Sequence, residues 1–205
     1  YTPGPSTGKP KLELITRMIN FGEVQLRKKA TSTIQIANDG EGILTGTITS
    51  KSPEVKPSVT QLELDEYETA AIPVVLNTND MQPGDFTSTL EINTNGGNDT
   101  ITVNAEILKA PELVCDTESI DFGLCFKGER KSEKLKIKNK HKGPITGTVK
   151  SQDKWLIVGK GEFEGNFNDI TLTLSSKSLD YGEYETSVTI NSDGGNKTIP
   201  VTVQI

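Results

Sequence analysis

The stretch INTNGGNDTITV, residues 92–103, returns 98 residues later as INSDGGNKTIPVTV, residues 190–203. In both stretches polar and apolar residues alternate, a Gly-Gly pair interrupts the alternation, and the alternation then resumes. Alternation with a period of two indicates half-buried strands. Gly and Asn accept the positive φ values that tight hairpins require. Each stretch therefore predicts a β-hairpin.

The rest of the chain repeats in the same way. The dipeptide Phe-Gly at 21–22 returns at 122–123, and the tripeptide Thr-Gly-Thr at 45–47 returns at 146–148, both 101 residues later. The change of offset from 101 to 98 places a three-residue deletion within 151–170, in a loop or edge-strand region where length changes are tolerated. A repeat of this length is a duplicated domain, since solenoid units have about 20–50 residues.

Apolar residues recur at every second position through most of both copies, and no window has a convincing helical period. The stripes of the first copy lie at 34–36, 44–48, 72–76, 86–92 and 101–107, and those of the second at 135–137, 170–174, 184–190 and 199–205. About seven short strands in about a hundred residues, separated by turn residues, are typical of a β-sandwich. We therefore predict an all-β chain of two tandem Ig-like antiparallel β-sandwich domains, with about seven strands each.

The boundaries follow from composition and from the repeat. Residues 1–9 are dominated by Pro, Gly, Ser and Thr and contain no initiator Met, which predicts a linker. The first domain is expected at 10–109 and the second at 110–205. We expect the sequence to be a fragment of a longer, prokaryotic protein, so a targeting signal is not to be expected here, and the localisation stays open between cytoplasm and cell surface.

The bulk numbers narrow the classes of function. The chain has 205 residues, 33% of them hydrophobic, and a net charge of −6, which suits two modest cores and argues against binding to a nucleic-acid backbone. No apolar run approaches the roughly 20 residues of a membrane span. Pro73 and Pro200 fall inside predicted strands, and because proline cannot donate a ladder hydrogen bond, we expect each at an edge, a bulge or a strand start.

Several motifs together resemble a known group of Ig-like modules. They are INFG, IQIANDG, GTITS and PGDF in the first copy, and IDFG, LKIKN, GTVKS and YGEY in the second, each followed by the hairpin quoted above. The pattern is similar to modules of the PapD-like group, which includes the major sperm protein and HYDIN/ASPM-type domains, and most of all to bacterial modules with a Gly-Gly turn before an IPV-like strand. The resemblance covers nearly everything after Pro10. It implies a structural, spacer or protein-binding unit attached to a larger protein, such as a kinase or chaperone, and it transfers no catalytic residue.

Residues that could perform catalysis are few. His141, the only histidine, falls in a predicted turn between two lysines, and no partner for a triad is evident. The glutamates at 162, 164, 183 and 185 are neighbours on single strands, whereas a glycosidase needs two carboxylates facing each other across a cleft. We therefore predict a non-enzymatic protein with no catalytic residue, no cofactor and no metal.

Cys115 and Cys125 leave three alternatives open. They stand where the first copy has Leu14 and Val24, which favours buried free thiols. A disulfide between them is the second alternative. Metal binding or catalysis is the third, although zinc usually takes four N or S ligands and one histidine cannot complete such a set.

The most distinctive local feature is a row of lysines. Lys134, Lys136 and Lys138 alternate with Leu135 and Ile137, so they are expected to project from the outer face of one strand. The first copy has Thr, Gln and Ala at 33, 35 and 37. The row is interpreted either as a docking stripe for an acidic partner or anionic surface or as a solubilising face that prevents edge-to-edge pairing.

Trp155, the only tryptophan, lies where the two copies diverge. It is expected either to anchor a partner or stack on a sugar, or to pack over the end of the sandwich. The leading hypothesis is a spacer or docking module whose partner is a protein or a flanking domain of the same chain. The alternative is a cell-surface adhesion or glycan-binding module with an exposed aromatic platform at Trp155.

Overall fold

A computed structural model describes residues 8–205, and the regular secondary structure within this range is almost entirely β-strand. It divides into two compact units: unit 1 ends at Lys109, and unit 2 comprises Ala110–Ile205. Each unit is an Ig-like β-sandwich of two sheets, so the predicted fold class is confirmed.

Unit 1 has a four-stranded sheet in the order β1-β3-β7-β5 and a five-stranded sheet in the order β2-β9-β8-β4-β6. Its strands are β1 (Leu12–Leu14), β2 (Met18–Gln25), β3 (Lys29–Asn38), β4 (Leu44–Ser50), β5 (Val55–Pro57), β6 (Gln61–Leu64), β7 (Thr69–Asn77), β8 (Gly84–Thr94) and β9 (Gly97–Leu108).

Unit 2 repeats this topology, with sheets in the orders β10-β12-β16-β14 and β11-β18-β17-β13-β15. Its strands are β10 (Leu113–Val114), β11 (Ile120–Leu124), β12 (Arg130–Asn139), β13 (Ile145–Ser151), β14 (Leu156–Val158), β15 (Glu162–Gly165), β16 (Phe167–Ser175), β17 (Glu183–Ser192) and β18 (Gly195–Gln204). A single 3₁₀ turn at Ser176–Ser178 is the only helical element in the described part of the chain.

Two details refine the predicted antiparallel sandwich of about seven strands. Each unit has nine strands. The two additional strands are β5 and β6 in unit 1 and their counterparts β14 and β15 in unit 2. They contain only three or four residues, so they are too short for an alternating pattern to reveal them. In addition, β2 pairs with β9 and β11 pairs with β18 in parallel. The chain crosses from one sheet to the other after its first short strand, and the crossing segment then runs beside the last strand in the same direction.

The core of each unit lies between its two sheets and consists of the predicted apolar stripes. Ile34, Ile36, Leu135 and Ile137 are all at most 1% exposed. Burial of such side chains stabilises each sandwich by about 1.5–3 kcal/mol per residue, so the inward positions of the alternating pattern determine the fold.

The repeated Thr-Gly-Thr tripeptide also has a packing reason. A Cβ atom on Gly46 would lie 2.2 Å from the Asn93 carbonyl oxygen, and one on Gly147 would lie 2.3 Å from that of Asn191. No side chain fits at such a distance, so glycine is required where β4 meets β8 and where β13 meets β17.

The two prolines were expected at an edge, a bulge or a strand start, but both lie inside interior strands. Ser58 N donates to the Pro73 carbonyl oxygen at 2.8 Å, so the ring nitrogen of Pro73 faces the β5 side, where pairing begins only at Val74. Pro200 likewise precedes Val201, the first residue that pairs with β11 in that region. The ring nitrogen of each proline therefore lies beyond the end of a short neighbouring strand, where no backbone N–H group is required for pairing.

The predicted linker covers residues 1–9, of which 1–7 lie outside the described residues. Gly8 and Lys9 lie against the turn after β3, where a Cβ on Gly40 would be 2.4 Å from the Lys9 carbonyl oxygen. The three-residue deletion lies in the turn before β16, because four residues, 65–68, separate β6 from β7, whereas Asn166 alone separates β15 from β16.

Candidate functional site

The three lysines of the predicted row lie on the exposed face of β12, opposite the buried Leu135 and Ile137. The side chains of Lys134 and Lys138 are 67% and 46% exposed. The row therefore forms part of the outer surface of the four-stranded sheet of unit 2.

Acidic neighbours balance the row only in part. Lys134 Nζ lies 3.9 Å from Asp169 Oδ2, and Lys138 Nζ lies 3.8 Å from Asp116 Oδ2. These pairs are long and exposed, so each contributes little to stability. Within residues 8–205 no carboxylate oxygen lies within 4.0 Å of the Lys136 ammonium. The row therefore keeps positive charge available to a partner.

An exposed aromatic ring lies beside the lysines. Phe167 of β16 is the cross-strand partner of Lys138, and its side chain is 76% exposed. Ile157 of β14, which is 42% exposed, lies further along the same sheet. We call this surface, formed by Lys134, Lys136, Lys138, Phe167 and Ile157, the lysine face.

The sequence reading did not identify Phe167. The signal was present, because Phe167 shares the outward parity of Asp169 and Thr171, whereas Ile170 and Leu172 point inward. A large apolar residue at an outward position is an exposed one. The corresponding residue of unit 1 is Thr69, the partner of Ala37, so the aromatic ring, like the lysine row, belongs to unit 2.

Trp155 is not part of the lysine face. Its indole is half-buried, packs against the core of unit 2 and meets the Tyr184 ring edge-on, with centroids 6.4 Å apart and planes at 66°. Its carbonyl oxygen accepts a hydrogen bond from Ser175 N at 2.8 Å, whereas Lys134 pairs with Thr171 of the same strand. Of the two interpretations, the structure supports packing at the margin of the sandwich.

A buried asparagine closes the turn at the end of β12. Asn139 Oδ1 accepts hydrogen bonds from Glu112 N at 2.9 Å and His141 N at 3.1 Å, and Asn139 Nδ2 donates to the Gly143 carbonyl at 2.9 Å. Asn38 forms the same arrangement in unit 1. The sequence reading missed both residues, although each is a polar residue at an inward position of a repeated stripe.

The only histidine belongs to this turn. His141 Nε2 lies 3.3 Å from Glu112 Oε2, and Lys140 Nζ lies 2.6 Å from Glu112 Oε1. The hydrogen bond from Lys140, together with its positive charge and the nearby imidazole, lowers the pKa of Glu112 below its ordinary value of 4.5. These contacts make His141 part of a cluster of polar side chains with Glu112 and Lys140.

Both cysteines are free and buried in unit 2, Cys115 at 8% exposure and Cys125 at 0%. This is the first of the three alternatives that the sequence left open. Within the described residues no group of three or more His, Cys, Asp or Glu side chains is arranged to hold a metal ion.

A shallow concavity of about 640 Å³ lies on the five-stranded sheet of unit 2, and its lining includes Thr146, Thr148, Glu162 and Glu164. The two glutamates are alternate residues of β15, each opposite a threonine of β13. They lie side by side on one strand, so they do not form the facing pair of carboxylates that glycoside hydrolysis requires.

A family described as "Family of unknown function (DUF5717) N-terminal" matches residues 107–205, which cover unit 2 and the last three residues of unit 1 and are slightly less than half of the chain. No curated protein matches the chain. None of the helices in the described residues is long and apolar enough to cross a membrane.

Solved structures similar to this chain include a protein of unknown function from Porphyromonas gingivalis W83, with TM-score 0.43 and 15% identity over 95% of this chain and 99% of the other. PapD-like domain 7 of human CEP192 gives TM-score 0.45 and 13% identity over 54% of this chain and 92% of the other. A chimeric titin Z1Z2 gives TM-score 0.45 and 12% identity over 96% and 97%.

Proposed function

We propose that this chain is a non-enzymatic interaction module of the HYDIN/ASPM and major-sperm-protein type, and that unit 2 docks an acidic protein partner through the lysine face. The partner is a separate protein or a flanking domain of the same, longer chain. The two sandwiches present and space this surface, and they contribute rigidity and no chemistry of their own.

The comparison of the two units carries the proposal. They share strand order, core positions and the buried asparagine turns, yet the outer face of β3 carries Thr33, Gln35 and Ala37 where β12 carries three lysines. A sandwich of this kind is therefore stable without the row. Lysines combined with an exposed Phe167 provide both charge and apolar contact, the combination from which protein interfaces gain specificity and binding energy.

Two further observations favour a binding module over the alternatives. His141 contacts Glu112 on the surface, and the cysteines are buried, so the residue types that most often act as bases and nucleophiles are engaged elsewhere. Glycan binding required an exposed indole at Trp155, and that indole packs against Tyr184 and the core. The lysine face is thus the surface on which we base the function.

The proposal is tested by reversing the charge of the row. We compare the triple variant Lys134→Glu, Lys136→Glu, Lys138→Glu with a control that makes the same change at Lys29, Lys56 and Lys109, three exposed lysines of unit 1. The probe is a fluorescent octaglutamate peptide at low salt, measured by fluorescence anisotropy. Both variants have the same net charge, so a difference between them reports where the probe binds.

We expect the unit 2 variant to lose at least about tenfold in affinity for the probe, which corresponds to about 1.4 kcal/mol. The unit 1 control is expected to keep most of the affinity. Far-ultraviolet circular dichroism checks that both variants remain folded. Equal losses in the two variants would show that the probe senses only total charge, and the lysine face would then have no special role.

A further inference from the structure

The edge of β12 is less completely covered than the same edge of β3. In unit 1 the chain continues beyond β1, and the Gln35 carbonyl oxygen accepts hydrogen bonds from Ile15 N and Thr16 N, both at 3.2 Å. Gln35 N donates to Thr16 Oγ1 at 3.0 Å. These bonds satisfy both backbone polar groups of Gln35.

In unit 2 the covering strand is shorter. β10 contains only Leu113 and Val114, and its pairing with β12 stops at Lys138. Lys136 is the counterpart of Gln35, and among the hydrogen bonds of residues 8–205 its N–H and C=O have no counterpart of the Ile15 and Thr16 bonds. The backbone of β12 is therefore open from Lys136 back toward the start of the strand.

The direction of the open groups follows from the neighbouring bonds. Lys140 N donates to the Glu112 carbonyl at 2.9 Å on the β10 side, and Asn139 N donates to the Asn166 carbonyl at 3.0 Å on the β16 side. Backbone groups alternate in direction along a strand, and β12 pairs with β16 without a register shift. The N–H and C=O groups of Lys136, Lys134 and Ser132 therefore face the open edge.

After β10 the chain passes to the other sheet, where β11 begins. Lys197 Nζ of β18 donates to the Cys115 carbonyl oxygen at 2.7 Å and to Glu118 Oε1 at 2.7 Å. These contacts place the Cys115 carbonyl group and the Glu118 side chain beside β18 of the other sheet. In unit 1, Ile15 and Thr16 lie beside β3. The corresponding position beside β12 has no pairing strand within residues 110–205.

We infer that the β12 edge from Ser132 to Lys136 accepts an extended acidic segment as an additional antiparallel strand, in continuation of β10. The inference deepens the proposed function and rests on it. Main-chain bonds to an open sheet edge are a recurring mode of peptide recognition. Here the residues with open backbone groups also carry the lysine row, so the edge determines the register and the charges determine the partner.

Charge favours an acidic segment over a second copy of this chain. Pairing two β12 edges would place lysine rows opposite each other, and like charges directly opposite are unfavourable in a sheet. Carboxylates at every second position of an added strand would instead lie beside Lys134 and Lys136 on the outer face. An alternating acidic and apolar sequence therefore matches this edge.

The direction of the open backbone groups determines which residues of an added strand can form hydrogen bonds with β12. In an antiparallel pair, two residues that face each other across a hydrogen-bonded position have side chains on the same face and exchange both backbone bonds. Residues opposite Lys134 and Lys136 therefore place their carboxylates on the lysine face and point their own N–H groups at β12. The intervening residues point their N–H groups away.

N-methylation of a peptide tests which of its N–H groups form hydrogen bonds with β12. The probe is a fluorescent seven-residue peptide of alternating glutamate and valine that begins and ends with glutamate. One version carries N-methyl groups on its two internal glutamates, and the matched control carries them on two valines. We expect the glutamate-methylated peptide to lose at least about tenfold in affinity for the full chain, and the valine-methylated peptide to bind nearly as well as the parent.

The protein supplies a second, independent comparison. Lys134→Pro removes the charge and the edge-facing N–H, whereas Lys134→Gln removes the charge alone. Proline is compatible with a strand where its nitrogen faces an uncovered side, as Pro73 and Pro200 show. We expect the proline variant to bind the parent peptide several-fold more weakly than the glutamine variant while the circular dichroism spectrum is unchanged.

The outcomes separate the inference from the proposed function. If both methylated peptides bind equally well and the Lys→Glu triple variant still loses binding, the partner lies on the face without pairing to the edge, and only the inference fails. If the triple variant binds the parent peptide normally, both fail. Binding of phosphatidylserine vesicles without binding of the peptide would assign the row to a lipid surface and would also overturn the inference.

Discussion

The ammonium group of Lys197 lies 2.7 Å from the Glu118 carboxylate, and the two residues stand where unit 1 has the same ion pair with the charges exchanged. There Arg17 Nη1 lies 3.1 Å from Asp99 Oδ2. Arg17 corresponds to Glu118, and Asp99 to Lys197, by the offsets of 101 and 98 that relate the two copies. In each unit the pair connects the segment that crosses between the sheets to the final hairpin.

Exchanging the charges of the unit 2 pair tests this equivalence. Lys197→Glu and Glu118→Lys each place like charges together, so each variant is expected to unfold at a lower urea concentration than the parent chain. The double variant restores the attraction in the orientation of unit 1 and should be more stable than Lys197→Glu alone. Trp155 is the only tryptophan and lies in unit 2, so its fluorescence reports the unfolding of this unit.

The double variant is not expected to recover fully. Lys197 also donates to the Cys115 carbonyl, and a glutamate cannot replace that bond. A double variant less stable than Lys197→Glu would mean that the two side chains are not coupled.

The pKa of Glu112 predicts a pH dependence for the turn after β12. The hydrogen bond from Lys140 lowers this pKa below 4.5 in the folded chain, so the ionised carboxylate stabilises the fold above about pH 4.5, and this contribution is lost as the pH falls through the lowered pKa. Glu112→Gln should therefore destabilise unit 2 at pH 7, with a difference from the parent that shrinks toward pH 3.

Urea unfolding followed by Trp155 fluorescence at pH 7, 4.5 and 3 measures that difference. Glu162→Gln is the matched control, because Glu162 is exposed and has no ion pair in the described structure. A Glu112→Gln effect that is the same at all three pH values would contradict the assignment.

The buried asparagine turn predicts a larger effect. Asn139→Ala removes three hydrogen bonds and leaves Glu112 N and His141 N without their acceptor, which should cost about 1–3 kcal/mol in the free energy of unfolding. Asn191→Ala, at an exposed position of β17, should change it by less than about 0.5 kcal/mol. Similar values for the two variants would show that the Asn139 bonds contribute no net stability.

The alternating pattern was sufficient to predict the longer strands, the hairpins and the buried apolar positions, but not the short strands β5, β6, β14 and β15. It worked because inward residues such as Ile34 and Leu135 are almost completely excluded from water, and this burial requires a strict period of two. The parallel pairing of β2 with β9 could not be predicted in this way. The residues of β2 show which positions are buried, but they contain no information about which strand lies beside them.

The candidate site was predictable only in part. The exposure of Lys134, Lys136 and Lys138 follows from parity, and so does that of Phe167, although Phe167 lies next to the three-residue deletion, where the offset between the copies changes. The open edge depends on where β10 ends. Just after β10, Cys115 and Glu118 contact Lys197, which is distant along the sequence, and a local pattern does not reveal such contacts.

The proposed addition of a partner strand to β12 depends on one difference between the units, namely that the edge of β3 is closed at Gln35 and the edge of β12 is open at Lys136. Amide hydrogen exchange of the free chain, followed residue by residue by nuclear magnetic resonance, measures this difference without any ligand. We expect the Gln35 and Lys140 amides, which are both hydrogen-bonded, to be protected, and the Lys136 amide to exchange much faster. A Lys136 amide as protected as that of Gln35 would mean that the edge is already occupied, and would contradict the account.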